Sequence, residues 1–329
     1  MIELKKILVP TDFSKGSEKA YPVAQNIADT FGGTIDFLHI VPTLKYFNES
    51  IKGLGVPLDM NKDIYPHVID DSEKNLKKLM GQYLKDKNRG DYFVKIERKP
   101  SEAISTFAIK NDYDLVIMGA KGKDETSLMR GSVTERVIRK SKVPVFSVGD
   151  RFDMNNIKNV VMPTDTSELS LASFPLTVAL ADSFNAHITL FNVIELYGSI
   201  SEDIPRTAGK GEMISIYEGI IERLNKFLTK RKIDNIHIQR TGVMFEDEVV
   251  ITDGDDSRTL SLFTKIEKGV SAHYEIENYA SEHADLVVMA THGHSGFAHL
   301  ILGSTAEKVA QYVKKPVISV RPTEDDFSN

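Results

Sequence analysis

The chain contains no cysteine, and this absence excludes several kinds of site at once. None of its 329 residues can form a disulfide, supply a thiolate metal ligand or act as a thiol nucleophile. No run approaches the roughly 18 consecutive apolar residues of a membrane-spanning helix. The first residues, MIELKKILVPTDFS, also lack the apolar stretch of a secretory signal. We therefore expect a cytoplasmic protein with no membrane partner.

Basic charge and familiar catalytic motifs are also scarce. The net charge of -6 at pH 7 disfavours nucleic acid as a partner. The sequence has no GxSxG nucleophile elbow, no HExxH motif and no P-loop of the form GxxxxGK[ST]. No catalytic residue is assigned for this reason, and at most a weak enzymatic activity is expected.

What the sequence does contain is one unit written twice. Residues 5–41 align without a gap with residues 158–194, and both segments carry the motif PTDxS. The segments DLVIMGAKG and DLVVMATHG, at 114–122 and 285–293, also correspond. Each is followed by a Gly-Ser pair, in GSVTERV and GSTAEKV. A repeat of this length predicts two similar domains joined near residues 149–156.

Each half alternates short apolar runs with helical apolar periodicity, which predicts parallel strands covered by helices on both faces. We expect two tandem α/β domains, at 1–149 and 156–329, each a doubly wound sheet of five parallel strands. The second half is longer, and alternating apolar residues around an Asp-Gly turn predict a hairpin insertion near 246–263. The halves are expected to pair within the chain about a pseudo-twofold axis, and a homodimer is also compatible with the sequence.

Two loops in each half follow strands whose carboxyl ends meet in a sheet of this type. One loop carries the PTD motif, and the other carries glycines and then a Gly-Ser pair that begins a helix. Glycine lets backbone N–H groups approach an anion, and a helix N-terminus adds free donors and a favourable dipole. The pattern therefore predicts a phosphate-binding site in each half.

The segments ILVPTDFS, DLVIMG, DLVVMA, THGHSGFAHLILGSTAEKV and PVISV resemble the universal stress protein family in its tandem two-domain form. Nucleotide-binding members of this family carry Gly, two residues, Gly, nine residues, Gly and then Ser or Thr. The resemblance implies a Rossmann-like, stress-response protein that binds an adenine nucleotide, ATP, with or without magnesium. It places the aspartates beside adenine and ribose, one strand residue against adenine, and the glycines and serines around ribose and phosphates. The implied binding residues are Pro10, Thr11, Asp12, Ile40, Gly119, Gly122, Gly131 and Ser132, and in the second half Pro163, Thr164, Asp165, Val193, Ala290, His292, Gly293, Gly303 and Ser304.

Both halves depart from the family pattern. In the first half, eight residues instead of nine separate Gly122 from Gly131. In the second half the spacing is intact, but Ala290 replaces the first glycine. A shortened loop shifts every donor that follows it, whereas one methyl group is a smaller obstacle. We therefore expect the second site to be the better of the two.

Alternatives remain open for several of these residues. Asp12 and Asp165 could cap the following helix instead of contacting a ligand, and the serines of the Gly-Ser pairs could be plain N-caps. Five of the nine histidines fall within residues 273–299, and His292 and His294 alternate in one loop. A structural zinc site needs about four ligands, and no cysteine is available here, so no metal site is predicted.

Three functions are compatible with the sequence. The first is an ATP sensor or regulator with little or no turnover, whose protein partner the sequence does not identify. The second is a nucleotide-free structural or partner-binding protein in which both sites have degenerated. The third is a slow magnesium-dependent ATPase. We favour the sensor, because the phosphate-binding features are present and no catalytic base stands out.

Overall fold

The computed structural model describes residues 2–43, 60–120, 132–149, 152, 154–196, 210–292 and 303–322. The chain divides into two compact units. One spans Glu3–Asp150, and the other spans Arg151–Asn329 together with Met1–Ile2. Each unit contains a sheet and the helices that cover it. Across the described ranges, no helix combines the length and the apolar character needed to cross a membrane.

The sheet of the first unit has five strands, all parallel. They are β1 (Lys6–Thr11), β2 (Thr34–Pro42), β3 (Arg89–Glu97), β4 (Leu115–Gly119) and β5 (Val145–Val148). Their order is β3-β2-β1-β4-β5. The helices are α1 (Lys15–Glu18), α2 (Ala20–Phe31), α3 (Tyr65–Tyr83), α4 (Pro100–Lys110) and α5 (Ser132–Lys140), with a π-helical turn at Met60–Ile64 and a 3-10 turn at Asp86–Asn88. The strand order reverses between β1 and β4, and ligands bind at such a switch point in open α/β sheets.

The sheet of the second unit repeats this arrangement and adds two strands. Its strands are β6 (Asn159–Pro163), β7 (His187–Glu195), β8 (Ile236–Arg240), β9 (Glu246–Asp253), β10 (Asp256–Gly269), β11 (Leu286–Ala290) and β12 (Val317–Val320). Their order is β12-β11-β6-β7-β10-β9-β8, with the first five parallel. The helices are α6 (Glu168–Leu171), α7 (Phe174–Phe184), α8 (Lys210–Lys230), α9 (Ala272–His283) and α10 (Ser304–Tyr312), with a 3-10 turn at Met154–Asn156.

The hairpin of the second unit pairs β9 with β10 from Glu246 to Phe263, and β10 continues beyond it. β9 and β10 pair antiparallel about a turn at Gly254, which has a φ of 62°, and β8 pairs antiparallel with β9. β10 continues to Gly269, and its second part, from Leu262 onward, pairs in parallel with β7. The return arm of the hairpin is thus also the third parallel strand. No turn residue separates its two parts, so the sequence alone did not reveal this double use.

The central strands are buried because helices cover both faces of each sheet. β4, β6 and β11 are buried along their whole length, and β1 is buried in all but its first residue. Their continuous apolar runs, such as LVIM and LVVM, are typical of such strands. The helices α2 and α7 end at left-handed residues, Gly32 with a φ of 64° and Asn185 with a φ of 51°.

The aspartate that precedes β4 or β11 fixes the register of the two central strands. Asp114 Oδ2 accepts hydrogen bonds from the backbone N–H groups of Lys5 and Lys6, at 2.8 and 2.7 Å. Asp285 Oδ2 does the same with Lys158 and Asn159, at 2.8 and 3.0 Å. The aspartate of the repeated DLV motif is therefore structural, and it aligns the strands whose carboxyl ends form the site.

Candidate functional site

A cavity of about 120 Å³ lies at the carboxyl ends of β6 and β11 in the second unit. Eight of the nine residues that the sequence assigned to this half line it, and the ninth, Gly293, lies outside the described residues. The lining residues are Pro163, Thr164, Asp165, Ser170, Phe191, Val193, Ala272, Ile276, Met289, Ala290, Thr291, His292, Gly303, Ser304, Thr305 and Ala306. The structure thus brings together the PTD loop, the end of β11 and the start of α10.

The threonine of the PTD motif shapes the loop from inside. Thr164 is buried, and its Oγ1 accepts the backbone N–H of Thr166 at 3.0 Å and lies 2.8 Å from Ser170 Oγ. Thr166 has a φ of 66°, a left-handed conformation that β-branched residues rarely adopt. The first half has the same turn, in which Phe13, with a φ of 60°, donates its N–H to Thr11 Oγ1 at 3.0 Å.

The aspartate of the motif does not cap the following helix. Asp165 Oδ1 accepts hydrogen bonds from the N–H and the hydroxyl of Ser167, at 3.0 and 2.6 Å. Ser167 is the N-cap, because its Oγ accepts the N–H of Ser170 at 3.1 Å. The capping alternative is therefore wrong for Asp165, whose side chain orients the capping serine and is exposed at the cavity.

The aspartate of the first half behaves in the same way. Asp12 Oδ1 accepts from the N–H and the hydroxyl of Ser14, at 3.0 and 2.5 Å, and Ser14 caps α1 through the N–H of Ser17. In both halves a side chain of the second strand, β2 or β7, hydrogen-bonds to the backbone of this loop. The His39 ring lies 2.8 Å from the carbonyl oxygen of Thr11, and the Asn192 amide donates to the Thr164 carbonyl at 2.8 Å.

The Gly-Ser pair supplies an uncapped helix N-terminus. Gly303 is the N-cap of α10, without a side-chain cap, and Ser304 is the first helical residue instead of the cap. The Gly303 N–H is not free for a ligand, because it donates to the Thr291 carbonyl at 2.9 Å. The N–H groups of Ser304, Thr305 and Ala306 have no acceptor within the helix, and all three residues line the cavity.

Ala290 and His292 form part of the wall on the side of β11. Ala290 is 6% exposed, so its methyl group occupies space that a glycine would leave open. His292 is 5% exposed, and its Nδ1 lies 2.9 Å from Thr291 Oγ1. His294 lies outside the described residues. Within the described ranges, no three His, Asp or Glu side chains lie close enough together to hold a metal ion.

The first half differs most at Gly119, the residue that corresponds to Ala290. A Cβ built on Gly119 would lie 2.0 Å from the carbonyl oxygen of Gly16, in α1. Packing of the short helix against β4 therefore requires this glycine, whatever ligand binds nearby. Thr134 of α5 also donates to the Gly119 carbonyl, at 2.9 Å.

The remaining residues assigned to the first half are only partly described. Pro10 is buried in β1, and Ile40, on β2, is 8% exposed. Ser132 begins α5. Gly122 and Gly131 lie outside the described residues.

Sequence reasoning missed the apolar part of the second cavity. Ala272 and Ile276 of α9, Phe191 of β7 and Met289 of β11 all line it. The two helix residues are four positions apart, a spacing that reads as ordinary core. Phe191 is stacked on Tyr279, with ring centroids 4.3 Å apart. No feature of the sequence distinguishes these residues from the rest of the core.

Comparison with known proteins gives a consistent result. The model of the universal stress protein family matches the chain twice, at residues 3–149 and 156–321. The universal stress protein Slr1230 from Synechocystis sp. is 23% identical over 334 residues, covering 97% of this chain and 100% of its own. The universal stress protein MJ0531 from Methanocaldococcus jannaschii is 30% identical over 151 residues, covering 44% of this chain and 81% of its own.

Solved structures show the same architecture. A universal stress protein from Archaeoglobus fulgidus superposes with a TM-score of 0.62 at 16% identity, covering 97% of this chain and 99% of that one. A functionally unknown protein, PA1789, from Pseudomonas aeruginosa gives a TM-score of 0.58 at 13% identity, covering 98% and 94%. At these identities the similarity concerns the fold.

Proposed function

The chain belongs to the universal stress protein family, and we propose that its second half binds an adenine nucleotide, ATP, as a sensor or regulator with little or no turnover. The observation that carries the proposal is the cavity at the ends of β6 and β11. Its walls include both the uncapped N-terminus of α10 and the exposed Asp165 carboxylate. Ligands of open α/β sheets bind in this position.

The N-terminus of α10 is suited to the phosphates. Three successive N–H groups, of Ser304, Thr305 and Ala306, lack acceptors within the helix, and the helix dipole favours a negative charge there. Ser304 is exposed and adds a hydroxyl group to the same turn. The phosphate contacts of this proposal therefore shift one residue along the chain from Gly303, whose N–H is bonded to Thr291.

The apolar walls are suited to the base. Phe191, Val193, Ile276 and Met289 present apolar surface to the cavity, and a planar ring system gains by leaving water for such a surface. The volume of about 120 Å³ is below the roughly 300–1,000 Å³ of pockets that enclose a whole drug-sized ligand. We infer that the cavity takes the base, with ribose at Asp165 and the phosphates along the start of α10.

Little turnover is expected, because the titratable side chains described in the cavity wall are committed to local contacts. Asp165 holds Ser167 through two hydrogen bonds to its Oδ1. His292 is paired with Thr291. A magnesium ion bound with ATP would neutralise phosphate charge, and Asp165 offers the oxygen type that magnesium prefers.

Titration calorimetry with ATP, together with a phosphate-release assay, tests the proposal. The unmodified chain is expected to bind ATP without measurable phosphate release, and Asp165→Ala is expected to weaken binding. Asp12→Ala is the matched control, because it removes the corresponding carboxylate from the first half and should leave the affinity unchanged. Absence of ATP binding would instead favour the nucleotide-free protein. Magnesium-dependent phosphate release that Asp165→Ala abolishes would favour the ATPase.

A further inference from the structure

We propose that Arg223 is a positioning residue of the second site, which holds the Asp165 loop in its ligand-binding conformation. Arg223 lies on α8, outside the cavity wall, and no sequence motif marks it. The inference rests on the proposed function, because nucleotide affinity is its main readout. It explains a contact between a helix and the loop that neither the core nor surface ion pairing requires.

The contact joins the guanidinium to the residue that follows Asp165. Arg223 Nη1 donates a short hydrogen bond, 2.5 Å, to Thr166 Oγ1. Thr166 is 8% exposed and is therefore inside the loop, whereas Arg223 reaches it from the exposed side of α8. The hydroxyl of Thr166 is thereby fixed to a helix, and its N–H is fixed to Thr164 Oγ1.

The backbone of Thr166 needs this support. A left-handed conformation is strained at a residue other than glycine, and a β-branched side chain makes it rarer. If Thr166 relaxed, the peptide that links it to Asp165 would rotate, and the carboxylate would leave its place at the cavity. Holding a binding group in its productive geometry before the ligand arrives increases affinity.

Arg223 differs from Lys226 and Lys230, two other cations of its helix. Lys226 pairs with Glu222 at 2.7 Å, and Lys230 pairs with Glu168 at 2.7 Å, as is usual on a helix surface. In the described part of the chain, the hydrogen bond of Arg223 goes to a neutral hydroxyl, and no carboxylate lies within 4.0 Å of its guanidinium. The geometry therefore points to a role in the loop.

The first half has the same backbone turn but a different support. Phe13 occupies the left-handed position there, and its ring lies 4.4 Å from the ring of His39. Contact between these two rings, whose planes are tilted by 40°, supports the turn, and the Phe13 side chain has no acceptor for a hydrogen bond from a helix. The effect of Arg223 is therefore confined to the second site.

A double-mutant cycle on ATP affinity tests the inference. Loss of the hydrogen bond to the neutral Thr166 hydroxyl should weaken the binding free energy by roughly 1 kcal/mol. Arg223→Gln and Thr166→Val should therefore each raise the Kd for ATP about fivefold. The double variant should bind no more weakly than either single variant, because both remove one interaction. Arg223→Lys, which keeps a charged donor on a side chain longer than that of glutamine, should recover part of the affinity. Lys226→Gln, which removes a neighbouring cation of the same helix, should bind like the unmodified chain.

A second background separates positioning from general stability. In Asp165→Ala, Arg223→Gln should have no further effect on the Kd, because the group that Arg223 positions is gone. Three results would each overturn the inference while leaving the proposed function intact. The Kd of Arg223→Gln could equal that of the unmodified chain, or the increases in Kd from Arg223→Gln and Thr166→Val could multiply in the double variant. Arg223→Gln could also raise the Kd as much in Asp165→Ala as in the unmodified chain. No ATP binding by the unmodified chain would overturn both.

Discussion

At the scale of single residues, the PTDxS loop builds its own shape before any ligand is present. Thr164 holds the N–H of a left-handed residue, Asp165 holds Ser167, and Ser167 caps a helix. The same bonds occur in the first half, which explains why the motif is repeated even though Gly119 in one half corresponds to Ala290 in the other. A residue can therefore be required by the loop and still offer a carboxylate to a ligand, and the sequence could not separate these roles.

The pair Gly119 and Ala290 gives a prediction about stability. A methyl group on Gly119 would meet the Gly16 carbonyl oxygen at 2.0 Å, so the backbone of α1 or β4 must move. We expect Gly119→Ala to lower the free energy of unfolding by about 1–3 kcal/mol, the usual cost of overpacking. Ala290→Gly should cost only about 0.5–1 kcal/mol, because it adds backbone freedom without a clash. Denaturant unfolding of both variants measures the difference, and equal losses would contradict the packing role of Gly119.

At the scale of secondary-structure elements, a polar network around one buried carboxylate links β8 and β9 to α8. Asp247, on β9, is 2% exposed and accepts the Tyr217 hydroxyl at 2.7 Å. Arg240 Nε lies 2.9 Å from its other oxygen, and the same guanidinium forms two hydrogen bonds with Glu218, at 2.7 and 2.8 Å. Burial, and then the Asp247 carboxylate, raise the pKa of Tyr217 to about 12.

This network predicts a pH-dependent loss of stability. Because the pKa of Tyr217 is raised in the folded state, its contribution is complete below about pH 10, the pKa of an unfolded tyrosine, and is lost as the pH rises toward about 12. Tyr217→Phe should lower the free energy of unfolding by about 1–3 kcal/mol at pH 7, since Asp247 loses a donor. Above pH 10 the difference in free energy of unfolding between Tyr217→Phe and the unmodified chain should become smaller.

Denaturant titrations at pH 7 and between pH 10 and 12 measure this effect. Tyr274→Phe is the control, because Tyr274 is 57% exposed and should change stability little at any of these pH values. A gap between Tyr217→Phe and the unmodified chain that stays constant across the pH range would show that the Tyr217 hydroxyl does not titrate as described.

Among the secondary-structure elements, the apolar periodicity of the sequence predicted the strands. It did not predict features that depend on tertiary contacts, such as strand pairing and the lining of the cavity. The buried strands were predictable from runs such as LVIM. The double use of β10 was not, because a strand pattern does not say which neighbour each part pairs with. The same holds for Ala272 and Ile276, which look like core residues and line the cavity as well.

At the scale of the whole molecule, the chain contains the same fold twice, and the two copies differ in the contacts around the PTD loop and the end of the fourth parallel strand. The repeat, the fold and the family could be predicted because they depend on motifs that both halves share. A difference between the sites was expected from the loop spacing, but the contacts that distinguish them could not be predicted, because they lie outside the motifs: Gly16 against Gly119 in one half, and Arg223 on Thr166 in the other.

The central claim, that ATP binds in the cavity of the second half, is tested most directly by amide hydrogen exchange with and without ATP. With ATP bound, exchange should be slower in the PTD loop at residues 164–168 and at the start of α10, where the N–H groups of Ser304, Thr305 and Ala306 would gain acceptors. The corresponding loop at residues 11–15 should exchange equally fast in both conditions. Protection confined to the first half, or no ATP-dependent change at the start of α10, would contradict the account.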